Sequence, residues 1–307
     1  MTTPARQLWR VAAAGLATAL VLALAGCGQE TPAPTTSSTL TASTTSSGPG
    51  TETPPTSPVT STAGQLSGIP VYWVGESRKS FALFREFRTV PDVGGPIASA
   101  VAAMTRMKPL DPDYQTPWKP ASKVTAKQTG PSIAVDLSAD AISGTQVGSD
   151  LAARAVQQLV YTATAAAYAS GTPATTVTIT IDGKPADAWG VVRLGEPTQR
   201  ADMGSVQAHA WVTSPQEGDT VKAGKVTFTG FGTSFEANFP WKVTSATGSV
   251  VASGATMGGT GTGGFGVVTF SATLTPGTYT VELATDDPSG GAEGAGAAVD
   301  TKRFTVK

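Results

Sequence analysis

The chain has 307 residues, 21 basic against 22 acidic, a formal net charge of −1 and one cysteine. No segment concentrates Lys and Arg, which argues against a nucleic-acid partner. A single cysteine rules out an intrachain disulfide, a cysteine-built metal site and dithiol redox chemistry.

The N-terminus carries Arg6 and Arg10, then an apolar stretch over residues 11–25 that closes on Leu24-Ala25-Gly26-Cys27. A charged start, a short apolar run and small residues at its end spell a secretory leader. Leu-Ala-Gly-Cys resembles a bacterial lipobox. That resemblance implies a signal peptide over 1–26, cleavage before Cys27, a diacylglycerol on its sulfur and a fatty acid such as palmitate on its new amino group. Two or more chains anchor stably where one holds only marginally. The expected location is the outer face of the plasma membrane. After Ala25 no apolar run approaches the ~20 residues of a spanning helix. Residues 27–67 are Ser, Thr, Pro and Gly with little to bury, and predict a disordered tether. The composition is also that of O-glycosylated stalks.

Residues 68–195 predict a small α+β domain. Val71-Tyr72-Trp73-Val74 reads as a buried strand, and residues 83–90 alternate as a second. Gly94-Gly95-Pro96 opens a helix in which Ile97, Val101, Met104 and Met107 share a face. Residues 108–120 hold four prolines and predict a loop, with Tyr114 and Trp118 packing down. Gly130-Pro131 joins two strands, the second placing Ile133, Val135 and Leu137 on one side. A second helix begins near Ser149 with Asp150 in its first turn, and buries Leu151, Ala155, Val156, Leu159, Val160, Ala163 and Ala167. Gly171 and Pro173 end it. Residues 177–181 are a strand, Asp182-Gly183 a turn, and residues 189–192 another strand. The order β-β-α-β-β-α-β implies two helices on one face of a small sheet.

Residues 207–307 show no helical period. Strands are expected at 208–212, 221–231, 235–245, 250–252, 265–273, 278–285 and 301–306, separated by Gly, Pro, Asp and Ser turns. Seven short strands over ~100 residues imply an all-β immunoglobulin-like sandwich. In the third, Phe235, Ala237, Phe239, Trp241 and Val243 point inward, while Glu236, Asn238, Pro240 and Lys242 point out. Asn238 is the only asparagine in the chain, and asparagine suits strands poorly. Glu236, Asn238 and Lys242 are therefore the candidate binding residues. The polar join suggests that the two domains fold separately, with Trp189 or Trp211 able to bury between them.

The first domain resembles the GerMN domain of sporulation and germination lipoproteins, through Val135-Asp136-Leu137-Ser138, Leu159-Val160-Tyr161-Thr162 and Ile181-Asp182-Gly183-Lys184-Pro185. The second resembles the immunoglobulin-like domain of spore-germination-associated proteins, through Val212-Thr213-Ser214-Pro215, Gly218 and Phe235-Glu236-Ala237-Asn238-Phe239. The resemblance spans residues 69–306 and implies an extracytoplasmic lipoprotein of the cell envelope with no known catalytic centre.

The residues themselves point the same way. His209 lacks a second group for catalysis. No zinc, cysteine-pair or nucleophile-elbow motif occurs, so no metal and no cofactor are expected. Asp111 and Asp113 could serve a wall hydrolase or hold calcium, but read as solvated loop charges. Asp286-Asp287-Pro288-Ser289-Gly290 reads as a turn. Tyr72, Trp73, Tyr114, Trp118 and Trp189 read as core rather than as a sugar-stacking surface. The expected function is binding or assembly with other envelope proteins. A peptidoglycan- or glycan-binding module is the alternative and a wall hydrolase the third reading.

Overall fold

The computed structural model describes residues 59–62, 64–144, 146–260, 263–290, 292 and 294–307. The leader, Cys27 and the tether up to residue 58 lie outside the described residues.

The first module carries two sheets. β1 (Gln65–Ser77) and β2 (Ser80–Pro91) form a long hairpin whose turn residues Arg78 and Lys79 both take positive φ. Thr60–Thr62 pairs with the start of β1. The tether was expected to stay disordered to residue 67, but its β-prone threonines add a strand to this edge. α1 (Pro96–Arg106) starts on a proline as expected. β3 (Val124–Thr129) and β4 (Ser132–Leu137) are joined by Gly130-Pro131. α2 (Ser149–Ala169) follows, and β5 (Thr176–Ile181) returns parallel to β4.

The core order is thus β-β-α-β-β-α-β, but the single sheet splits in two, β1–β2 and β3–β4–β5. One apolar core joins Val71 and Trp73 of the first sheet, Ile133, Val135, Val177 and Ile179 of the second, and both helices. α2 is buried nearly all round its middle, polar residues included. Gln158 and Thr162, one turn apart, hydrogen-bond the backbone of Tyr72: the Gln158 amide donates to its carbonyl at 2.9 Å, and the Thr162 hydroxyl accepts its N–H at 3.0 Å. These polar residues satisfy strand groups that burial would otherwise leave unpaired. Trp189 sits in a turn with φ of 50°, not in the strand expected at residues 189–192. It packs edge-on against buried Trp118.

The second module is a two-sheet sandwich. β6 (Ala210–Ser214), β7 (Gly224–Gly232) and β10 (Gly266–Leu274) form one sheet, where β8 (Asn238–Ser245) and β9 (Val250–Met257) precede β10 in sequence. The other sheet orders Thr220–Val221, β12 (Val299–Val306), β11 (Gly277–Ala284), β8 and β9. Phe228, Phe239, Val281, Leu283 and Phe304 fill the space between them. Trp241, expected at the core, is half-buried and stacks on Phe270 at 4.6 Å. The fully buried tryptophan is Trp211, which belongs to the core of the first module together with Ala208 and Phe231. Trp211 thus buries at the join, as the sequence allowed, and docks the two modules, while the sandwich keeps an apolar core of its own.

Candidate functional site

Three sets of contacts lock the modules together. Gln216, just past β6, reads the backbone of Phe87 in β2 twice: the Phe87 N–H donates to its Oε1 at 2.7 Å and its Nε2 donates to the Phe87 carbonyl at 2.9 Å. Arg85, 3% exposed, lays its guanidinium 5.1 Å from the Phe87 ring and 5.7 Å from the Phe231 ring. The third set is ionic. Lys302 of β12, 2% exposed, donates to Asp111 Oδ2 at 2.7 Å, to Asp300 Oδ2 at 2.7 Å and to the Tyr114 hydroxyl at 2.7 Å. Tyr114 donates on to Asp300 Oδ1 at 2.7 Å, and Asp300 Oδ2 accepts the Val212 N–H at 2.7 Å.

Burial works against the Lys302 charge, but Asp300 and Asp111 outweigh it and raise its pKa above the ordinary lysine value. Burial, with the two carboxylates beside it, pushes the Tyr114 phenol well above its usual range, so it stays a neutral donor. Burial likewise raises Asp300, and Lys302 opposes that rise. The expectation of Asp111 as a solvated loop charge is corrected here. It is buried, 2% exposed, because its partner lies 191 residues away on the last strand. The backbone N–H groups of Leu110 and Asp111 are held by buried Glu86. Asp113 is exposed.

The locked junction leaves a cleft of about 510 Å³ between the β1–β2 turn and the loops of the sandwich. Arg78 and His209 line both this cleft and a smaller hollow of about 200 Å³. Thr233, Ser234, Phe235, Asp286 and Pro288 form the other walls. Arg78 donates to His209 Nδ1 at 2.9 Å, so the ring proton sits on Nε2 and points at the Gly204 carbonyl, 3.1 Å away. Both ring nitrogens of His209 are thereby engaged. Asp287 behaves as the turn residue expected: its Oδ1 accepts the Ser289 N–H at 3.1 Å and hydroxyl at 2.6 Å.

Of the predicted binding face, Asn238 and Lys242 share one side of β8, while Glu236 lies outside the strand. Phe235–Ala237 is a 3₁₀ turn, not strand, with Glu236 and Ala237 at φ of 52° and 57°. The chain turns a corner here as it leaves one sheet for the other, and inward–outward alternation begins only at Asn238. Phe235 is consequently 64% exposed instead of buried. Glu236 is exposed in that turn, next in the chain to Phe235. Asn238 is half-buried in β8, paired with Met257 across to β9. Lys242, four residues on and roughly 13 Å along the strand, forms an ion pair with Glu282 at 2.9 Å. Of the aromatics considered for sugar stacking, Tyr72, Trp73, Tyr114 and Trp118 are core. Sequence reasoning missed Arg78 and the exposed Phe235. The available signals were the Ser77-Arg78-Lys79-Ser80 turn between two alternating runs, and Gly232-Thr233-Ser234 as a corner ahead of Phe235.

Two families match. Germane, described as sporulation and spore germination, matches residues 70–187. Gmad2, an immunoglobulin-like domain of bacterial spore germination, matches residues 209–292. The C-terminal module is similar to a germination-associated immunoglobulin-like domain. Both modules thus resemble germination-associated families, while Asp300 and Lys302 fall beyond the second match. No curated protein matches the chain. Among solved structures, CopC from Methylosinus trichosporium OB3b aligns at 22% identity and a TM-score of 0.25, over 32% of this chain and 94% of that one. An engineered protein aligns at 15% identity and a TM-score of 0.25, over 50% of this chain and 36% of its own.

Proposed function

We propose that the chain is a lipid-anchored, extracytoplasmic binding and assembly protein of the bacterial cell envelope that works by contacts with other envelope proteins and performs no catalysis. The single observation that most supports this reading is the locked junction between two germination-type modules. Gln216, Arg85 and the Lys302 cluster hold both modules in one orientation, so their outer faces form a fixed surface. A rigid surface binds without the ordering cost that a flexible tandem would incur. The broad sheet face carrying Thr125, Lys127, Thr178 and Thr180 is one such surface. Cys27 supplies the anchor, and the Ser/Thr/Pro segment sets the reach from the membrane.

The test is photo-crosslinking in living cells with a benzophenone amino acid at Lys127 and, separately, at Lys242. A discrete protein adduct from at least one position is the expected result. Adducts with wall glycan alone, or no adduct from membrane-anchored protein, would count against assembly through protein contacts.

A further inference from the structure

We propose that the cleft at the module junction is a saccharide-binding site, in which Phe235 carries the sugar ring and Asp286 and Arg78 take its hydroxyls. This goes beyond the assembly reading and does not depend on it. Several observations converge. Phe235 is 64% exposed at the lip of the cleft. The backbone holds it there: Glu236 and Ala237 lie in the left-handed region, and the Ser234 hydroxyl accepts the Asp286 N–H at 2.8 Å, tying the two walls together. An aromatic ring fixed in water forfeits its burial unless a partner covers it.

The Asp286 carboxylate, unlike that of Asp287, has no hydrogen bond or ion pair among the described residues. Arg78 spends one N–H on His209 and has no other partner there. The Thr233 hydroxyl, in the cleft wall and buried, is unpaired. A buried unpaired hydroxyl beside a carboxylate and a guanidinium with bonding capacity to spare, all lining one cleft, offers a ligand both donors and acceptors.

The chemistry of these groups selects among ligands. A carboxylate only accepts hydrogen bonds and a guanidinium only donates them. A hydroxyl does both, so a diol can donate to Asp286 while accepting from Arg78. The pairing of one anion with one cation favours a neutral ligand over a simple anion or cation. The aliphatic face of a pyranose covers an aromatic ring and leaves its hydroxyls at the edge. The volume, about 510 Å³, lies within the ~300–1,000 Å³ range of small-molecule sites.

The experiment uses the full-length chain in detergent, titrated with two probes, the β-1,4-linked N-acetylglucosamine trisaccharide and maltotriose, with trialanine as the peptide control. Saturation-transfer NMR reads the contact. At least one trisaccharide is expected to bind. Phe235→Ala and Asp286→Asn should each weaken that binding roughly tenfold or more, with an unchanged melting temperature because Phe235 is exposed and Asp286 unpaired. Failure of both trisaccharides at about 10 mM, binding of trialanine alone, or sugar binding undisturbed by both substitutions would overturn the proposal. The titration needs no envelope partner. Its failure is thus separate from a failure of the crosslinking test, and each proposal stands or falls on its own readout.

Discussion

Lys302→Met is the perturbation that probes the junction most sharply. The ammonium is 2% exposed and sits 2.7 Å from carboxylate oxygens of both Asp111 and Asp300. Methionine keeps most of the volume and removes the charge. Two carboxylates then lie buried with no cation between them, and breaking a buried pair in this way costs ~3–5 kcal/mol. For a folded region of this size each kcal/mol is worth ~2–4 °C, so the melting temperature at pH 7 should fall by roughly 6–20 °C. The sign with pH follows from linkage. In the wild-type protein Lys302 has a raised pKa. Its contribution is complete below the ordinary lysine value and is lost only as the pH climbs through the raised one. In the variant Asp300, which burial already raises, loses the cation that opposes that rise, so the folded state binds more protons than the unfolded state and stability falls as pH rises through that window. The deficit should therefore shrink between pH 7 and pH 5, and Asp300→Asn on top of Lys302→Met should recover part of it. Urea melts followed by tryptophan fluorescence measure all of this. A loss under ~1 kcal/mol at pH 7, the size of an exposed pair, would refute the reasoning, as would a loss that does not change with pH.

Cys27→Ala should release the protein from the membrane fraction into detergent-free supernatant; retention of the variant would place the anchor elsewhere. Phe239→Ala truncates a fully buried ring between the two sheets of the sandwich and should cost ~3–5 kcal/mol in urea melts. Gly254→Val should destabilise by ~1–3 kcal/mol, because a Cβ there would lie 2.9 Å from the Trp241 ring. His209→Ala removes hydrogen bonds to Arg78 and Gly204 and should cost ~1 kcal/mol while leaving photo-crosslinked adducts intact.

Local patterns made much of the fold legible. The Gly130-Pro131 hairpin, the proline at the start of α1, the length of α2 and the Asp182-Gly183 turn all follow from residues near one another in the chain. The failures come from distance. Asp111 reads as a loop charge because its partner is on the final strand, and nothing near Pro109 or Pro112 announces it. Gln158 and Thr162 look like breaks in an apolar stripe until the backbone of Tyr72 is set beside them. The division of the first module into two sheets depends on which strands find each other across long separations, which alternation alone does not encode. Phe235 fails for the opposite reason: alternation runs on through the sequence where the backbone turns a corner, and so assigns an exposed ring to the core. That same error hid the cleft, since Phe235 and Arg78 are brought to it by a corner and a turn rather than by regular strands.

The rigid union of the two modules is tested most directly by native-state hydrogen exchange in rising urea, comparing the amides of β4 in the first module with those of β11 in the sandwich. If the Trp211 contact and the Lys302 cluster make the modules one body, the slowest amides of both strands will exchange through a single opening, with the same free energy and the same urea dependence. Two openings with different urea slopes, one for each strand, would show that the modules unfold independently and would contradict the fixed surface on which the assembly function rests.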